Sequence, residues 1–410
     1  MNSQHARLGA AFLGSFALVG SLALVGSLAL LAAPLAARAA AAPYDIPVIA
    51  SLTGGGAFLG QEEQQSLKLA EPAFNKSGGI HGHPIHFVFH DDQSNPQIAV
   101  QLANEVLATH PAVMLGSSLV AACNAMTPLM AEGPVMYCFS PGIHPPAGSY
   151  VFTSGVSTHD QANALLRYFR LKGWTKLALM TSTDATGQDA DRGFEELLSM
   201  PENKSIQVLE HAHFDTKDVS VAAQIERIKA AKPQVVIGWS TGAPSATIFR
   251  GAAQSALDLP MGTTGGNMTY AQMKRFASFL PKELYLPSSE WVVDGDPHLK
   301  LPAGVAAKQR EFYTAFKEAD LKPDEGSVLA WDPAAIVVDA LRALPAEASA
   351  QQLRDYLVHL KGQPGIDGIY DFTKSPQRGL SLENVIVTRW EPKAGRWAVV
   401  AGPTGTPLGH

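Results

Sequence analysis

Short runs of β-branched and aromatic residues alternate with longer runs of helical hydrophobic spacing along most of the chain. Strand-like runs are IPVIAS from Ile46, PIHFVFH from Pro84, AVML from Ala112 and VMYCF from Val135, and helical runs such as QEEQQSLKLAEPAF lie between them. Strands that alternate with helices predict a parallel sheet covered by helices on both faces. The pattern therefore predicts an α/β fold.

A second series of the same kind follows the segment FTSGVST. Its strand-like runs are KLALMTS from Lys176, IQVLEHAHF from Ile206 and QVVIGW from Gln234. Two consecutive α/β series of similar length predict two similar lobes. The last third differs, because three helical runs between residues 304 and 360 precede LENVIVTRWE and RWAVV, which predict a short antiparallel tail.

The N-terminus has the pattern of a secretory signal peptide. Arg7 precedes an uncharged run from Leu8 to Ala37, and Pro34 and the small residues of ARAAAAP end it. A basic start, an apolar middle and a small-residue exit are typical of such peptides. We expect cleavage after Ala39 or within the next three residues, and a periplasmic protein. An uncleaved anchor is the alternative, since the run is long enough to span a bilayer.

Composition and charge exclude some functions. The chain of 410 residues is 46% hydrophobic and 17% charged, as expected of a globular protein. A net charge of −6 gives no electrostatic footprint for nucleic acid. Cys123 and Cys138 can form one disulfide in an exported chain, or stay as two buried thiols, because spacing alone does not place both sulfurs within reach.

Small and polar residues fill the loops after the predicted strands. These loops read SLTGGGAFLG, LGSSLVAAC, FSPGIHPP, TSTDATGQD, GWSTGAPSA and GTTGGNMTY, and each precedes a helical run. Ligands of open parallel sheets bind beyond the carboxyl ends of the strands, and free N–H groups at helix starts can bind a carboxylate. Ordinary turn chemistry selects the same residues, but six such loops are expected to frame a cleft.

Two of these loops resemble motifs of enzymes. In TGGGAFLG, Leu59 stands where a dinucleotide motif needs its third glycine and no lysine follows Gly60, so we expect no nucleotide and no other cofactor. Residues 238–242 fit G-x-S-x-G between a strand and a helix, so a serine hydrolase that uses Ser240 is the rival hypothesis. Its acid and base would come from Asp294, Asp296, His298 and His359.

Histidines and aspartates cluster around the second predicted strand. The cluster comprises His81, His83, His86, His90, Asp91 and Asp92. These residue types are metal ligands. Alternating apolar residues explain the same stretch as a strand with solvent-facing histidines, and we expect no metal site.

A set of specific motifs covers nearly all of the chain after the N-terminal segment. The segment NKSGGIHGHPIHFVFHDDQSNPQIAVQLANEVL contains an N-x-x-GGI turn, a G-x-x-I strand and a DD-x-x-x-P loop. DATGQD, AAKPQVVIGW, IFRGAAQSAL and WDPAAIVVDAL follow. Together these motifs resemble the type I periplasmic solute-binding proteins of ABC transporters, specifically the branched-chain amino-acid binding group.

The resemblance implies two Rossmann-like lobes with parallel sheets, joined by three hinge crossings near Ser157, Ser289 and Gly368. It divides the chain into residues 1–42 (signal peptide), 43–157 (first part of lobe I), 158–289 (main part of lobe II), 290–367 (return to lobe I) and 368–410 (completion of lobe II and tail). It implies a monomeric, non-catalytic binding component of an ABC importer, whose partners are a small-molecule ligand and the membrane permease. A ligand-sensing receptor module is the alternative role.

The chemistry of these loops and the resemblance together point to ligand-binding positions. They are Phe58, Leu59, Val120, Ala121, Ala122, Ser140, Gly142, Thr186, Thr241 and Thr264. Amino-acid binders of the family have an acidic residue near the position of Thr264, and this chain has none in that loop. A buried ammonium without a partner costs several kcal/mol. We therefore expect an uncharged or monoanionic apolar ligand, such as an aromatic or aliphatic carboxylate, unless Asp184 or Glu290 pairs with an ammonium.

Overall fold

Residues 41–293 and 299–408 are the part of the chain that the computed structural model describes. Nearly all of the predicted signal peptide, residues 1–42, lies outside the described residues. Three acid and base candidates of the hydrolase hypothesis lie outside them too: Asp294, Asp296 and His298. Within the described ranges, no helix combines the length and the apolar character that a membrane span requires.

A five-stranded parallel sheet forms the centre of lobe I, with the order β2-β1-β3-β4-β5. Its strands are Tyr44–Ala50 (β1), Ile85–Asp91 (β2), Val113–Gly116 (β3), Val135–Cys138 (β4) and Val151–Thr153 (β5). The helices of this series are Ala57–Lys76 (α1), Pro96–Leu107 (α2) and Val120–Met126 (α3). Strands β3 and β4 are buried along their whole length, as continuous apolar runs between helical layers require.

An eight-stranded sheet forms the centre of lobe II, with the order β15-β14-β13-β10-β9-β8-β6-β7. Its parallel strands are Lys176–Ser182 (β6), Gln207–Phe214 (β7), Val235–Trp239 (β8), Met261–Gly262 (β9) and Leu284–Ser288 (β10). The helices of this series are Thr158–Leu171 (α4), Ala185–Ser199 (α5), Ala222–Ala231 (α6), Ser245–Gln254 (α7) and Tyr270–Phe276 (α8). The two sheets confirm the predicted α/β fold with two lobes.

Three helices follow the last parallel strand of lobe II. They are Ala303–Glu318 (α9), Glu325–Ala343 (α10) and Ala350–Val358 (α11). Helix α10 packs along α1, where Ser66 Oγ donates to the backbone oxygen of Ser327 at 2.6 Å. Ser154 Oγ, just after β5, donates to the backbone oxygen of Leu329 at 2.8 Å. Helix α10 therefore lies against lobe I.

Antiparallel strands complete the chain. Lys361–Pro364 (β11) and Ile369–Asp371 (β12) form a separate two-stranded ribbon. Ile386–Glu391 (β13), Arg396–Gly402 (β14) and Thr406–Pro407 (β15) extend the lobe II sheet, and β13 pairs antiparallel with β10. This is the antiparallel tail that the sequence predicts.

Buried carboxylates connect the segments after β10 and before β12. Ser289 Oγ donates to Asp367 Oδ1 at 2.5 Å. The backbone N–H groups of Ile366 and Asp367 and the hydroxyl of Tyr370 donate to Asp332 on α10. Burial raises the pKa of Asp332 to about 6, because the charged form is less well solvated in the interior. These hydrogen bonds hold the two segments side by side.

Arg378 connects the loops around β5 to the segment after β12. Its buried guanidinium donates to the backbone oxygens of Pro141, Ile143, Ser154 and Gly155, at 2.8 to 3.4 Å. Burial lowers its pKa to about 10, so the group stays charged at neutral pH. One side chain thereby satisfies four carbonyl groups that are otherwise removed from water.

Candidate functional site

The lobes touch at the loops that follow the carboxyl ends of β1 and β8. The backbone N–H of Ala243 donates to the oxygen of Gly55 at 3.2 Å. Gly242 has a φ of +79°, and a Cβ atom on it would lie 2.5 Å from the same oxygen. Only glycine tolerates both the conformation and the close approach. The predicted cleft is therefore bordered by a direct contact between its two walls.

A second contact joins the loop after β4 to helix α5. His144 Nε2 lies 2.7 Å from Asp189 Oδ1, and the carboxylate is buried while the histidine is half-exposed. Gly142 lies in the same loop, where a Cβ atom would come within 2.7 Å of Val120 Cγ2 and 3.3 Å of Asp189 Oδ2. The loop can approach α5 this closely because residue 142 has no side chain.

Lobe I carries buried carboxyl groups at the carboxyl ends of its strands. We call Ser51, Glu63, Asp92, Ser117 and Ser118 the lobe I edge. Ser51 Oγ donates to Asp92 Oδ1 at 2.6 Å and lies 3.2 Å from Ser117 Oγ. Burial raises the pKa of Glu63 to about 8, Ser118 partly opposes this shift, and the charge of Asp92 adds to it. Glu63 is therefore mainly protonated and neutral at pH 7.

A disulfide joins Cys123 of α3 to Cys138 at the end of β4. This bond decides between the two states that the sequence leaves open. Because α3 begins directly after the lobe I edge, the bond ties the loop that carries Ser117 and Ser118 to the neighbouring strand.

Lobe II has amides and hydroxyls at the corresponding position. We call Gln161, Ser240, Thr263, Thr264 and Asn267 the lobe II edge, and all five are buried. Asn267 Nδ2 donates to the backbone oxygen of Ser240 at 2.8 Å and to Thr263 Oγ1 at 2.9 Å. Its Oδ1 accepts from the backbone N–H of Gly242 at 3.1 Å. Asn267 thus connects the ends of β8 and β9.

Gln161 of α4 completes the lobe II edge. Its Oε1 accepts from the N–H of Gly265 at 3.0 Å and lies 3.3 Å from Thr264 Oγ1. The hydroxyl of Thr264 also accepts from the N–H of Gly266 at 3.3 Å. Thr264 is therefore an uncharged group held by other uncharged groups.

Several buried hydroxyls at the strand ends have no hydrogen-bond partner among the described residues, and Ser140 and Ser240 are two of them. Ser140 follows β4 in lobe I, Ser240 follows β8 in lobe II, and both are 0% exposed. A buried polar group that lacks a partner costs about 1–3 kcal/mol. Each lobe therefore presents a hydroxyl that a ligand could satisfy.

Eight of the ten predicted ligand-binding residues lie at the carboxyl ends of strands. In lobe I, Val120, Ala121 and Ala122 form the first turn of α3, and Ser140 and Gly142 follow β4. In lobe II, the three threonines lie after β6, β8 and β9: Thr186, Thr241 and Thr264. Packing contacts bring Val120 beside Gly142, and a Cβ atom on Gly266 would lie 3.0 Å from Thr241 Cγ2 and 3.8 Å from Thr264 Oγ1.

Phe58 and Leu59 lie in the first turn of α1. The Phe58 ring packs edge to face on Phe276 of α8 at 6.0 Å, with the guanidinium of Arg275 5.7 Å from its centre. Leu59 is buried, and a Cβ atom on Gly326 of α10 would lie 2.7 Å from its backbone oxygen. These two residues therefore contact helices as well as the strand-end loops.

The two acids proposed as alternative ammonium partners have different surroundings. Asp184 caps α5, where its Oδ1 accepts from the N–H of Gly187 at 3.1 Å and from Ser182 Oγ at 2.6 Å. Glu290 is partly buried, which raises its pKa to about 7, with a smaller opposing effect of Asn384. Asp184 is thus already engaged in a helix cap.

Two residues of the edges were not predicted from the sequence. Glu63 follows Leu59 by four residues on α1 and precedes Leu67 by four, so the helical period places it on the buried face. That signal could have identified it as a buried acid. Gln161 lies in the first turn of α4, and its partners come from a loop a hundred residues later. The sequence contains no local signal for that contact.

The comparisons with known proteins agree with this geometry. A family model described as periplasmic binding protein matches residues 43–395, which is most of the chain. The chain belongs to the periplasmic binding protein family. This membership confirms the resemblance seen in the sequence motifs, and family members bind solutes outside the cytoplasm.

Similar proteins of this family include one curated relative and several solved structures. The Leu/Ile/Val-binding protein homolog 3 of Brucella melitensis is 26% identical over 209 residues, which are 49% of this chain and 55% of that protein. The chain therefore spans about half the length of that relative. An extracellular ligand-binding receptor from Rhodopseudomonas palustris HaA2 has a TM-score of 0.77 at 21% identity, over 87% of this chain and 99% of that one.

A third similar structure contains a ligand. It is the solute-binding protein of an ABC transporter from R. palustris in complex with benzoate, with a TM-score of 0.73 at 19% identity. The alignment covers 89% of this chain and 97% of that one. At 19% identity, the likeness to this structure shows that the two proteins share a fold.

The serine of the G-x-S-x-G motif has no catalytic partner among the described residues of this periplasmic binding protein. Ser240 Oγ makes no hydrogen bond there, and its backbone oxygen accepts from Asn267. His359, which the sequence offers as a base for Ser240, lies at the end of α11, and its Nδ1 is 2.7 Å from the backbone oxygen of Asp355. Its ring is held by its own helix, so it is not oriented toward Ser240.

Proposed function

We propose that this periplasmic binding protein is the exported binding component of an ABC importer, and that it takes up a small apolar carboxylate. The observation that carries the proposal is the uncharged lobe II edge. Thr264 and its partner Gln161 offer a hydroxyl and an amide where an amino acid's ammonium would need a carboxylate. Burying an ammonium without a charged partner costs several kcal/mol of desolvation, and a ligand without an ammonium avoids that cost.

The carboxylate of the ligand is proposed to bind in lobe I. Helix α3 begins without a side-chain cap, so the N–H groups of Ala121 and Ala122 are not taken by a capping side chain. Ser140 adds a hydroxyl, and Glu63, when protonated, is a neutral group that does not repel an anion. The benzoate complex of the similar R. palustris protein supports this class of ligand.

The proposed site contains the ten predicted residues, and it is formed when the lobes close. The crossings between the lobes are proposed near Ser157, Ser289 and Gly368. The hydrogen bond of Ser289 to Asp367 and the four bonds of Arg378 support crossings at these places. Opening would break the contacts of Ala243 with Gly55 and of His144 with Asp189.

A thermal-shift panel tests the ligand class. Benzoate, 3-phenylpropanoate and 4-methylpentanoate are compared with phenylalanine and leucine, at matched concentrations. We expect the acids to raise the midpoint of unfolding and the amino acids to leave it unchanged. Stabilisation by leucine that disappears for 4-methylpentanoate would falsify the proposed ligand class.

Two variants locate the effect within the site. Glu63→Gln should leave the response to a stabilising acid intact, whereas an amino acid that pairs with Glu63 would lose its effect in this variant. Glu195→Gln, at an exposed position of α5, is the matched control. Small-angle scattering should show a smaller radius of gyration with the stabilising acid, because the ligand contacts both lobes only in the closed state.

The hydrolase hypothesis is tested on the same complex. Wild-type protein and Ser240→Ala are each incubated with the stabilising acid and with its methyl ester, and the products are followed by mass spectrometry. We expect both compounds to be recovered unchanged from both proteins. Ester cleavage by the wild type but not by Ser240→Ala would favour the serine hydrolase hypothesis over the binding protein of an importer.

Importer function is tested in cells. Deletion of the gene should reduce uptake of the identified acid, and the gene for Ser240→Ala should restore it. Normal uptake in the deletion strain, with loss of a transcriptional response to the same acid, would support the sensing role instead.

A further inference from the structure

Two histidines and an aspartate converge at the edge of the lobe II sheet. His211 and His213 lie on β7, the last strand in the sheet order, and Asp191 lies on α5. Residues two apart on a strand point to the same side, and here both point toward α5. Asp191 Oδ1 is 3.0 Å from His211 Nε2, and Asp191 Oδ2 is 3.0 Å from His213 Nε2.

The distances among these atoms suit a single metal ion. One ligand atom from each of the three residues lies within 4.8 Å of the other two, and the imidazole rings are 4.4 Å apart. Zinc–nitrogen and zinc–oxygen bonds are about 2.0–2.2 Å long, so atoms around one ion lie roughly 3–3.5 Å apart. Small rotations of the side chains would therefore bring all three within bonding distance.

The surroundings are also those of a binding site. The three side chains are between 27% and 47% exposed, so an ion and a water molecule can reach them. Thr181 Oγ1 lies 3.2 Å from His211 Nε2 and places a hydroxyl at the base of the cluster.

We propose that Asp191, His211 and His213 bind one divalent ion of the zinc, copper or nickel class, with water in the remaining position. The two imidazoles are borderline nitrogen ligands, so a site that they form with one carboxylate suits these metals better than calcium or magnesium, which prefer oxygen ligands. The ion would cross-link α5 to the outermost strand. The same helix carries Asp189, whose partner His144 belongs to lobe I.

Calorimetric titration with Zn²⁺ tests this site. The protein is prepared without a histidine tag, treated with a chelator and dialysed, because a tag would bind the same metals. We expect one Zn²⁺ per chain at pH 7.5.

Three variants assign the ligands. Asp191→Asn keeps the shape of the side chain, and His211→Ala and His213→Ala each remove one imidazole. Each should weaken Zn²⁺ binding by at least about tenfold. His86→Ala is the matched control, because His86 pairs with Asp45 at 2.9 Å in lobe I and is not part of the cluster. Circular dichroism confirms that each variant is folded.

A thermal readout separates the site from nonspecific binding. Zn²⁺ should raise the unfolding midpoint of the wild type and of His86→Ala, because a ligand of the native state stabilises it, and should leave Asp191→Asn unchanged. Absence of Zn²⁺ binding by the wild type would show that the cluster is an ion pair only. Equal Zn²⁺ affinity in Asp191→Asn and the wild type would likewise overturn the proposal.

Discussion

The lobe I edge and the lobe II edge hold their polar groups in different ways. The lobe I edge contains the buried acids Glu63 and Asp92, and a disulfide beside it ties α3 to β4. The lobe II edge contains uncharged amides, and Asn267 connects its strand ends by hydrogen bonds alone. The lobe I edge is thus covalently fastened and can change its charge with pH, whereas the lobe II edge is neutral and depends on a few amide contacts.

The largest effect is expected from the covalent fastening of lobe I. Replacing both Cys123 and Cys138 by serine removes a cross-link between residues 15 apart in sequence. Loss of such a loop closure should lower the free energy of unfolding by about 3 kcal/mol, because the unfolded chain gains freedom. Urea titration under non-reducing conditions measures it. A change below about 0.5 kcal/mol would mean that the lobe I edge does not depend on the bond.

The next largest effect on stability is expected from the amide contacts of the lobe II edge. Asn267→Ala leaves the N–H of Gly242, the oxygen of Ser240 and the hydroxyl of Thr263 without their partner. It should lower the free energy of unfolding by about 2–3 kcal/mol, because buried polar groups lose hydrogen bonds. Asn104→Ala, which removes one exposed amide contact on α2, is the control. Equal losses in the two variants would contradict the importance of the lobe II edge.

The charge difference between the two edges is tested by the pH dependence of the free energy of unfolding. Glu63 has a pKa of about 8 when folded and an ordinary value of 4.5, so the folded state holds an extra proton between these limits. Its contribution to stability is therefore lost as pH rises through this window. Between pH 6 and pH 8 the wild type should lose about 2 kcal/mol more than Glu63→Gln, because the pKa of Glu63 in the folded state lies well above its ordinary value.

The comparison is made at both pH values by urea unfolding. Glu290, Glu325 and Asp332 also have raised pKa values and should keep part of the pH dependence in the variant. Glu195→Gln should retain the full dependence of the wild type. A slope that Glu63→Gln leaves unchanged would mean that Glu63 ionises in the folded state as it does in water.

The smallest effect on stability is expected at the contact of His144 with Asp189 between the two lobes. His144→Ala removes the hydrogen bond to Asp189 across the lobes. His144 is 53% exposed, so the loss of stability should be no more than about 0.5 kcal/mol. Thermal unfolding measures the stability, and scattering without ligand measures the opening. A loss of several kcal/mol would show that this contact, and not the two edges, holds the cleft together.

The sequence predicts the long elements well and the short ones poorly. The runs from Ile46 and from Lys176 coincide with β1 and β6 to within two residues, because continuous apolar strands leave a clear pattern. The strands β5, β9 and β10 were not predicted. They have two to five residues each, too few to show a clear alternation of apolar and polar residues, and their neighbours in the sheet determine them.

The candidate site shows the same limit. Glycines and hydroxyl residues at the strand ends are visible in the sequence, since turn chemistry is local. Contacts between distant elements are not. His83 and His86, close in sequence, have different partners, the oxygen of Ala42 and the carboxylate of Asp45. Asp191 and His211, twenty residues apart, meet because α5 lies beside β7, the last strand of the lobe II sheet.

The position of Arg378 in the chain has a consequence for how the protein forms. Its four carbonyl partners belong to loops around β5, so they are made long before the arginine. A nascent chain emerges from the ribosome with its N-terminus first. The backbone of lobe I around Pro141 and Ser154 therefore stays incompletely bonded until nearly the whole polypeptide has been synthesised. The last stage of synthesis thus completes the first lobe, and a chain truncated before residue 378 would carry those loops unfinished.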